Sequence, residues 1–196
     1  MIQDIPTKAD FDNNGIAFLN LAWKSVMGIS FGLPEQPVEP LGPDATEEQL
    51  QESAEEERRW SEAVSEYWCA AQQELATAVA LAQQGTEFLL KGKIASISPF
   101  LLISGDPKDW PAGCDKTDTP FADFKTIDAQ DLLRAHDTVC SPPLSDKFKE
   151  RFEQLRRLRN SVMHTVDRRL QFTTRDCLLA ILEMAEALLG SRSWID

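Results

Sequence analysis

One stretch limits the fold more than any other. Trp60, Val64, Tyr67/Trp68, Ala71, Leu75, Ala78/Val79 and Ala82 recur at steps of three and four, the period of one helix face rather than the alternation of a strand. Upstream, DATEEQLQESAEEERRW offers Asp44 or Thr46 as an N-cap and places acidic residues in the first turn, where they suit the helix dipole. The spacing therefore predicts a long helix. Its start, Thr46 to Glu57, is polar nearly all round and is expected to project into solvent. Gly85 is expected to interrupt or bend it before TEFLLKGKIASIS continues.

The same period appears elsewhere. Ile16, Leu19, Trp23 and Val26/Met27 predict a first helix over about Asp10 to Ile29. It should end in SFGLPEQPVEPLGPDA, whose four prolines and two glycines exclude helix and central strand and make 31–45 a loop. From Ser98 to Thr126, prolines at 99, 107, 111 and 120 and glycines at 105 and 113 predict an irregular insertion, which either covers something or lacks order. IDAQDLLRAH reads as a short helix capped by Thr126 or Asp128, and a fourth substantial helix begins near Ser145. A last helix runs from Thr173 or Thr174 to Leu189 and stops at Gly190. With no β-branched alternation, internal repeat or sustained heptad, the expected fold is all-α. It has four main helices, a short one and one long insertion in a single domain over 1–196.

Composition excludes several classes of function. Hydrophobic residues at 42% and charged residues at 27% are the balance of a folding globular chain. No apolar run approaches the roughly 20 residues of a membrane span. MIQDIPTKADFD lacks the basic, apolar and small-residue regions of an export signal, so a cytoplasmic location is expected. The four cysteines (Cys69, Cys114, Cys140, Cys177) form no CxxC pair and have no histidine at ligand spacing, so free thiols and no metal or cofactor are expected. The formal charge of −12 argues against coating nucleic acid through the overall field. Charge is nonetheless segregated. Eight acidic residues lie between Asp44 and Glu62 against Arg58 and Arg59, while Ser145 to Arg169 carries eight basic and four acidic residues. That basic segment is either a local site for a phosphate backbone or a solvated helix face.

Within it, RNSVMH (Arg159 to His164) poses a geometric problem. Phe148, Phe152, Leu155, Leu158, Val162 and Val166 make one apolar face. At about 100° per residue Arg159 falls within roughly 40° of Leu155, and about 140° from His164. A guanidinium on that face calls for an acidic partner. One straight helix does not easily aim both residues at one atom. Either the helix is distorted near Ser161, or the arginine reaches around, or a second copy of the chain completes the site.

RNSVMH resembles the signature of the HEPN family (higher-eukaryote and prokaryote nucleotide-binding all-α domains): arginine, a polar residue, three variable residues, histidine. GTEFLLKGKIASISPFLLI resembles that family's upstream helix, with an acid before a leucine-rich run and a lysine. FKTIDAQDLLRAH resembles the segment before the motif helix. The likeness spans roughly Gly85 to Leu189. It implies a HEPN-like bundle and a metal-independent endoribonuclease, a toxin or phage-defence effector working as a homodimer with a composite site, and a possible antitoxin partner. Arg159 and His164 would be the catalytic pair, Asn160 the polar residue beside the arginine, and Glu87 the upstream acid that keeps Arg159 satisfied. Arg156, Arg157, Arg168 and Arg169 would bind RNA. Toxins of the family paired with a nucleotidyltransferase often carry a tyrosine two residues after the histidine. Here that position is Val166, and the only tyrosine is Tyr67.

The residue types suit RNA cleavage, because RNA carries its own nucleophile, the 2′-hydroxyl. Histidine, with a reference pKa near 6.5, can move the protons. Arginine can hold a phosphorane through paired N–H donors. Plainer readings exist for each residue. His164 could cap its helix, His136 reads as structural, and Trp60 and Trp68 read as packing anchors. The competing functions are a non-catalytic module binding RNA, nucleotide or protein, and an antitoxin or assembly subunit whose acidic helix docks a basic partner.

Overall fold

The computed structural model describes residues 1–36, 42, 44–164 and 172–190, the side chains of residues 163 and 164 excepted. The fold is all-α. Helix α1 (Lys8–Phe31) starts at a capping box in which Thr7 Oγ1 accepts from Asp10 N and the Asp10 carboxylate accepts from Thr7 N at 2.8 Å. Helix α2 (Glu47–Ala95) starts at a second box, between Thr46 and Gln49. The last helices are α3 (Ala129–Val139), α4 (Asp146–His164) and α5 (Thr174–Leu189). Ser145 Oγ accepts from Phe148 N at the start of α4, and Thr173 Oγ1 from Asp176 N at the start of α5. Gly190 closes α5 at φ +79, a conformation that L side chains rarely adopt. Within the expected 31–45 loop, residues 37–41 and 43 lie outside the described ones.

Helix α2 corrects one expectation. It runs 49 residues without a break, so Gly85 does not interrupt it. The glycine is there for packing: a Cβ on Gly85 would meet the Gly15 carbonyl oxygen at 2.8 Å, and one on Gly15 would meet Leu89 at 2.7 Å. The backbones of α1 and α2 cross at this pair, and α1 lays its buried face (Leu19, Ala22, Val26) along the second half of α2 (Leu75, Ala78, Ala82, Leu89, Leu90). Such close approach leaves no room for a methyl group. The acidic first half of α2 is exposed over nearly all of residues 47–59, as its composition implied. Beyond it, Trp60 Nε1 donates to Pro34 O at 3.2 Å and the Tyr67 hydroxyl donates to Ile29 O, tying the end of α1 to α2.

Helices α4 and α5 close the core with Phe148, Phe152, Leu155, Ile181 and Met184. The insertion does cover something. It buries Leu102, Phe121 and Phe124 and folds through short 3-10 turns at Pro99–Leu102, Pro107–Asp109 and Phe121–Asp123. Strand β2 (Thr119–Pro120) pairs in parallel with β1 (Ile2–Gln3). An antiparallel bridge joins Ile103 to Thr126, with Ser104 N donating to Lys125 O and Ile127 N to Leu102 O, both at 2.8 Å. This bridge delivers Thr126 and the start of α3 to the flank of α2, where the site lies. No helix among the described residues is long and apolar enough to cross a membrane.

Candidate functional site

Three elements meet around a cleft of about 320 Å³. Helix α2 contributes Glu87 and Lys91, α4 contributes Arg156, Arg159 and Asn160, and the turn into α3 contributes Thr126 to Gln130. Helical spacing explains the first two sets. Residues four apart on α2, and three and four apart on α4, share a face. Three residues singled out from the motif, Glu87, Arg159 and Asn160, thus line one cleft although Glu87 lies more than seventy positions from the others. Helix α4 is continuous through Ser161 to His164. The side chain of His164, and residues Val166, Arg168 and Arg169, lie outside the described part of the structure.

The bonds inside the cleft differ from expectation in one respect. Arg159 is half-buried and its Nη1 donates to Asn160 Oδ1 at 3.1 Å. No ion pair joins it to Glu87 or to any other acid among the described residues. Glu87 is drawn instead along its own helix, accepting from Nε2 of the fully buried Gln83 four residues earlier. Lys91, also half-buried, donates from Nζ to Thr126 Oγ1 at 3.1 Å and forms no ion pair with a described residue. Burial pushes the Lys91 ammonium below its ordinary value, against the opposing pull of Glu87 and Asp128. Asp128 sits at the N-cap of α3 without capping it, and its carboxylate lies 3.7 Å from Lys125.

Most of the remaining basic residues of α4 are already engaged. Arg156 reaches the cleft but is gripped by Glu153 through Nε at 3.1 Å and Nη2 at 2.8 Å. Glu183 of α5 takes Lys147 at 3.0 Å and Arg151 at 2.6 Å. Asp137 takes Lys149 at 2.6 Å, the Leu144 N–H at 2.8 Å and Nδ1 of the buried His136 at 3.2 Å. Desolvation raises the Asp137 pKa, but these three contacts outweigh it and hold the carboxyl at about 2. His136 is therefore part of a latch between the end of α3 and α4. Arg157 is exposed and lines a different groove, on the outer side of α4 with Lys149, Glu150 and Glu153. Of the two described arginines expected to bind RNA, one is neutralised and the other points away from the cleft.

Lys91 and Thr126 join the cleft without having been expected there. The signal for Lys91 was present, since it follows Glu87 by one helical turn. That for Thr126 was not, because a non-local bridge puts it there. The cleft brings together two cations that join no ion pair among the described residues, an amide and a hydroxyl, beside the carboxylates of Glu87 and Asp128, so Arg159 and Lys91 keep N–H donors that an anion could use. Comparison of the chain with protein-family models, with curated proteins and with solved structures returns no match.

Proposed function

We propose that the protein is a metal-independent endoribonuclease of the HEPN type, acting as a homodimer and serving as a toxin or phage-defence effector. The observation that carries this reading is the cleft. Arg159 and Asn160 enter it beside Glu87, and among the described residues Arg159 joins no ion pair, whereas Arg151 and Arg156 each do. A half-buried guanidinium without a carboxylate is costly unless a ligand supplies the negative charge.

The chemistry follows from the residues. His164 takes the proton of the 2′-hydroxyl as that oxygen attacks phosphorus. The bond from phosphorus to the 5′-oxygen then breaks, and the leaving oxygen takes the proton that His164 had accepted. Arg159 holds the non-bridging oxygens as charge builds on them, and its bond to Asn160 fixes the guanidinium plane. The products are a 2′,3′-cyclic phosphate and a 5′-hydroxyl. A continuous α4 supports a shared site, because on a regular helix Arg159 and His164 diverge by about 140° and a two-fold axis brings one residue of each chain together. Four free cysteines suit a reducing cytoplasm. A toxin of this kind needs restraint in its cell, and the exposed acidic half of α2 offers a surface to a basic antitoxin.

The test is incubation of the purified protein with total RNA in EDTA, followed by analysis of the ends. Cleavage leaving cyclic phosphates, abolished in Arg159→Ala and His164→Ala, supports the reading. Cleavage unchanged in both variants removes the catalytic assignment. Binding without cleavage by the wild type makes the protein a binding module instead.

A further inference from the structure

Lys91 is the second cation of the cleft, and its surroundings are unusual for a lysine. Its stem belongs to α2, one turn beyond Glu87, and its ammonium is half-buried. Of three N–H donors, one is used, on Thr126 Oγ1 at 3.1 Å. The two carboxylates nearest in sequence and space, Glu87 and Asp128, are turned to other partners: Glu87 accepts from Gln83 Nε2, and Asp128 lies toward Lys125. The cations facing it across the cleft are Arg156, held by Glu153, and Arg159, held by no acid among the described residues. Two partly buried cations of one sign therefore share one cleft in a protein of net charge −12. Among the described residues neither joins an ion pair, although the carboxylates of Glu87 and Asp128 line the same cleft and attract the Lys91 ammonium without bonding it.

Resting on the ribonuclease reading above, we infer that Lys91 is a binding residue of the same site, holding a phosphate of the RNA strand next to the one gripped by Arg159. An ammonium suits this role. It meets a phosphate as a compact point charge, without the fork geometry that the reacting phosphate requires. Thr126 positions it, since the bridge between Ile103 and Thr126 anchors the hydroxyl that Lys91 Nζ contacts. The insertion would then contribute to the site indirectly, by setting where that ammonium stands.

The experiment measures binding rather than cleavage, so that it stands apart from the nuclease assignment. A short fluorescent 2′-O-methyl RNA of mixed sequence, which cannot be cut by its own 2′-oxygen, is titrated with the full chain over a range of salt. Lys91→Gln should weaken binding about tenfold at moderate salt and flatten the log–log salt slope by about 0.7, the share of one phosphate contact on a single strand. Lys91→Arg should restore both. Lys147→Gln, an exposed cation engaged by Glu183, should stay within about twofold of wild type. A thermal melt of each variant checks folding, and Lys91→Met is the substitute should Lys91→Gln not fold. Wild-type affinity and slope in Lys91→Gln, or in its Met substitute, overturn the inference and leave the ribonuclease reading standing. Absence of RNA binding by the wild type overturns both. Binding weakened in Lys91→Gln, beside a wild type that leaves total RNA uncut in EDTA, upholds the phosphate contact while removing the nuclease.

Discussion

The cations around α4 divide into two regions. Toward the start of the helix, Lys147, Lys149, Arg151 and Arg156 each meet a carboxylate at 3.0 Å or less. Toward its end, Arg159 meets none among the described residues, and neither does Lys91 on the facing wall of the cleft. Lys147, Lys149 and Arg151 tie α4 to α5 and to the end of α3, and Arg156 is held within α4 by Glu153. The second group faces open space. A count of basic residues along the chain treats both groups alike, but of the cations lining the cleft only Arg159 and Lys91 lie outside any ion pair among the described residues.

Substitutions can break that contrast at either end. The largest effect is expected for Arg159→Ala, which should lower RNA cleavage by about a hundredfold or more, the usual loss when a transition-state donor is removed. Its melting temperature should stay close to wild type, since no ion pair among the described residues is lost. Cleavage assays beside thermal melts check this, and a large drop in melting temperature would move Arg159 into the structural group.

Next comes the latch. Asp137→Asn removes the charge that Lys149 and His136 share and should cost about 2 kcal/mol of stability in chemical denaturation. Cleavage by the folded fraction should be nearly unchanged. The same carboxylate sets an acid limit. Because its folded pKa of about 2 lies below the unfolded value near 3.9, its stabilisation is fully present above about pH 4 and is lost as pH falls toward 2. Denaturation midpoints across that window should fall less steeply for Asp137→Asn than for wild type.

The smallest effect belongs to the exposed member of the paired group. Lys147 is 79% exposed, so solvent screens its bond to Glu183, and Lys147→Ala should change stability by less than about 0.5 kcal/mol. A loss several times larger would mean that exposure is a poor guide to which of these pairs holds the helices together.

Helix limits were legible in the sequence because caps are local. Thr46 with Gln49, Thr173 with Asp176 and Gly190 all announce themselves within a few positions. What depended on distant residues was misread or missed. Gly85 looks like a break because its role, admitting the Gly15 carbonyl, belongs to another helix. Residues 98–126 look structureless because their pairing reaches back to Ile2 and Gln3 and within to Thr126. At the site, Glu87, Arg159 and Asn160 were named from their motif, and the cleft gathers them. The acid expected for Arg159 was wrongly placed, since Gln83 competes for Glu87 from one turn away. Arg156 could have been recognised as engaged, because Glu153 precedes it by three positions on the same helix.

In the proposed dimer, Arg159 of one chain and His164 of another act on the same RNA phosphate. The direct measurement mixes two inactive proteins, Arg159→Ala and His164→Ala, under conditions that exchange protomers, and follows cleavage of a fluorescent RNA in EDTA. Half of the dimers would be mixed, each with one intact composite site, so recovery to about a quarter of wild-type activity is expected. A mixture that stays as inactive as its components, beside an active wild type, would contradict the shared site.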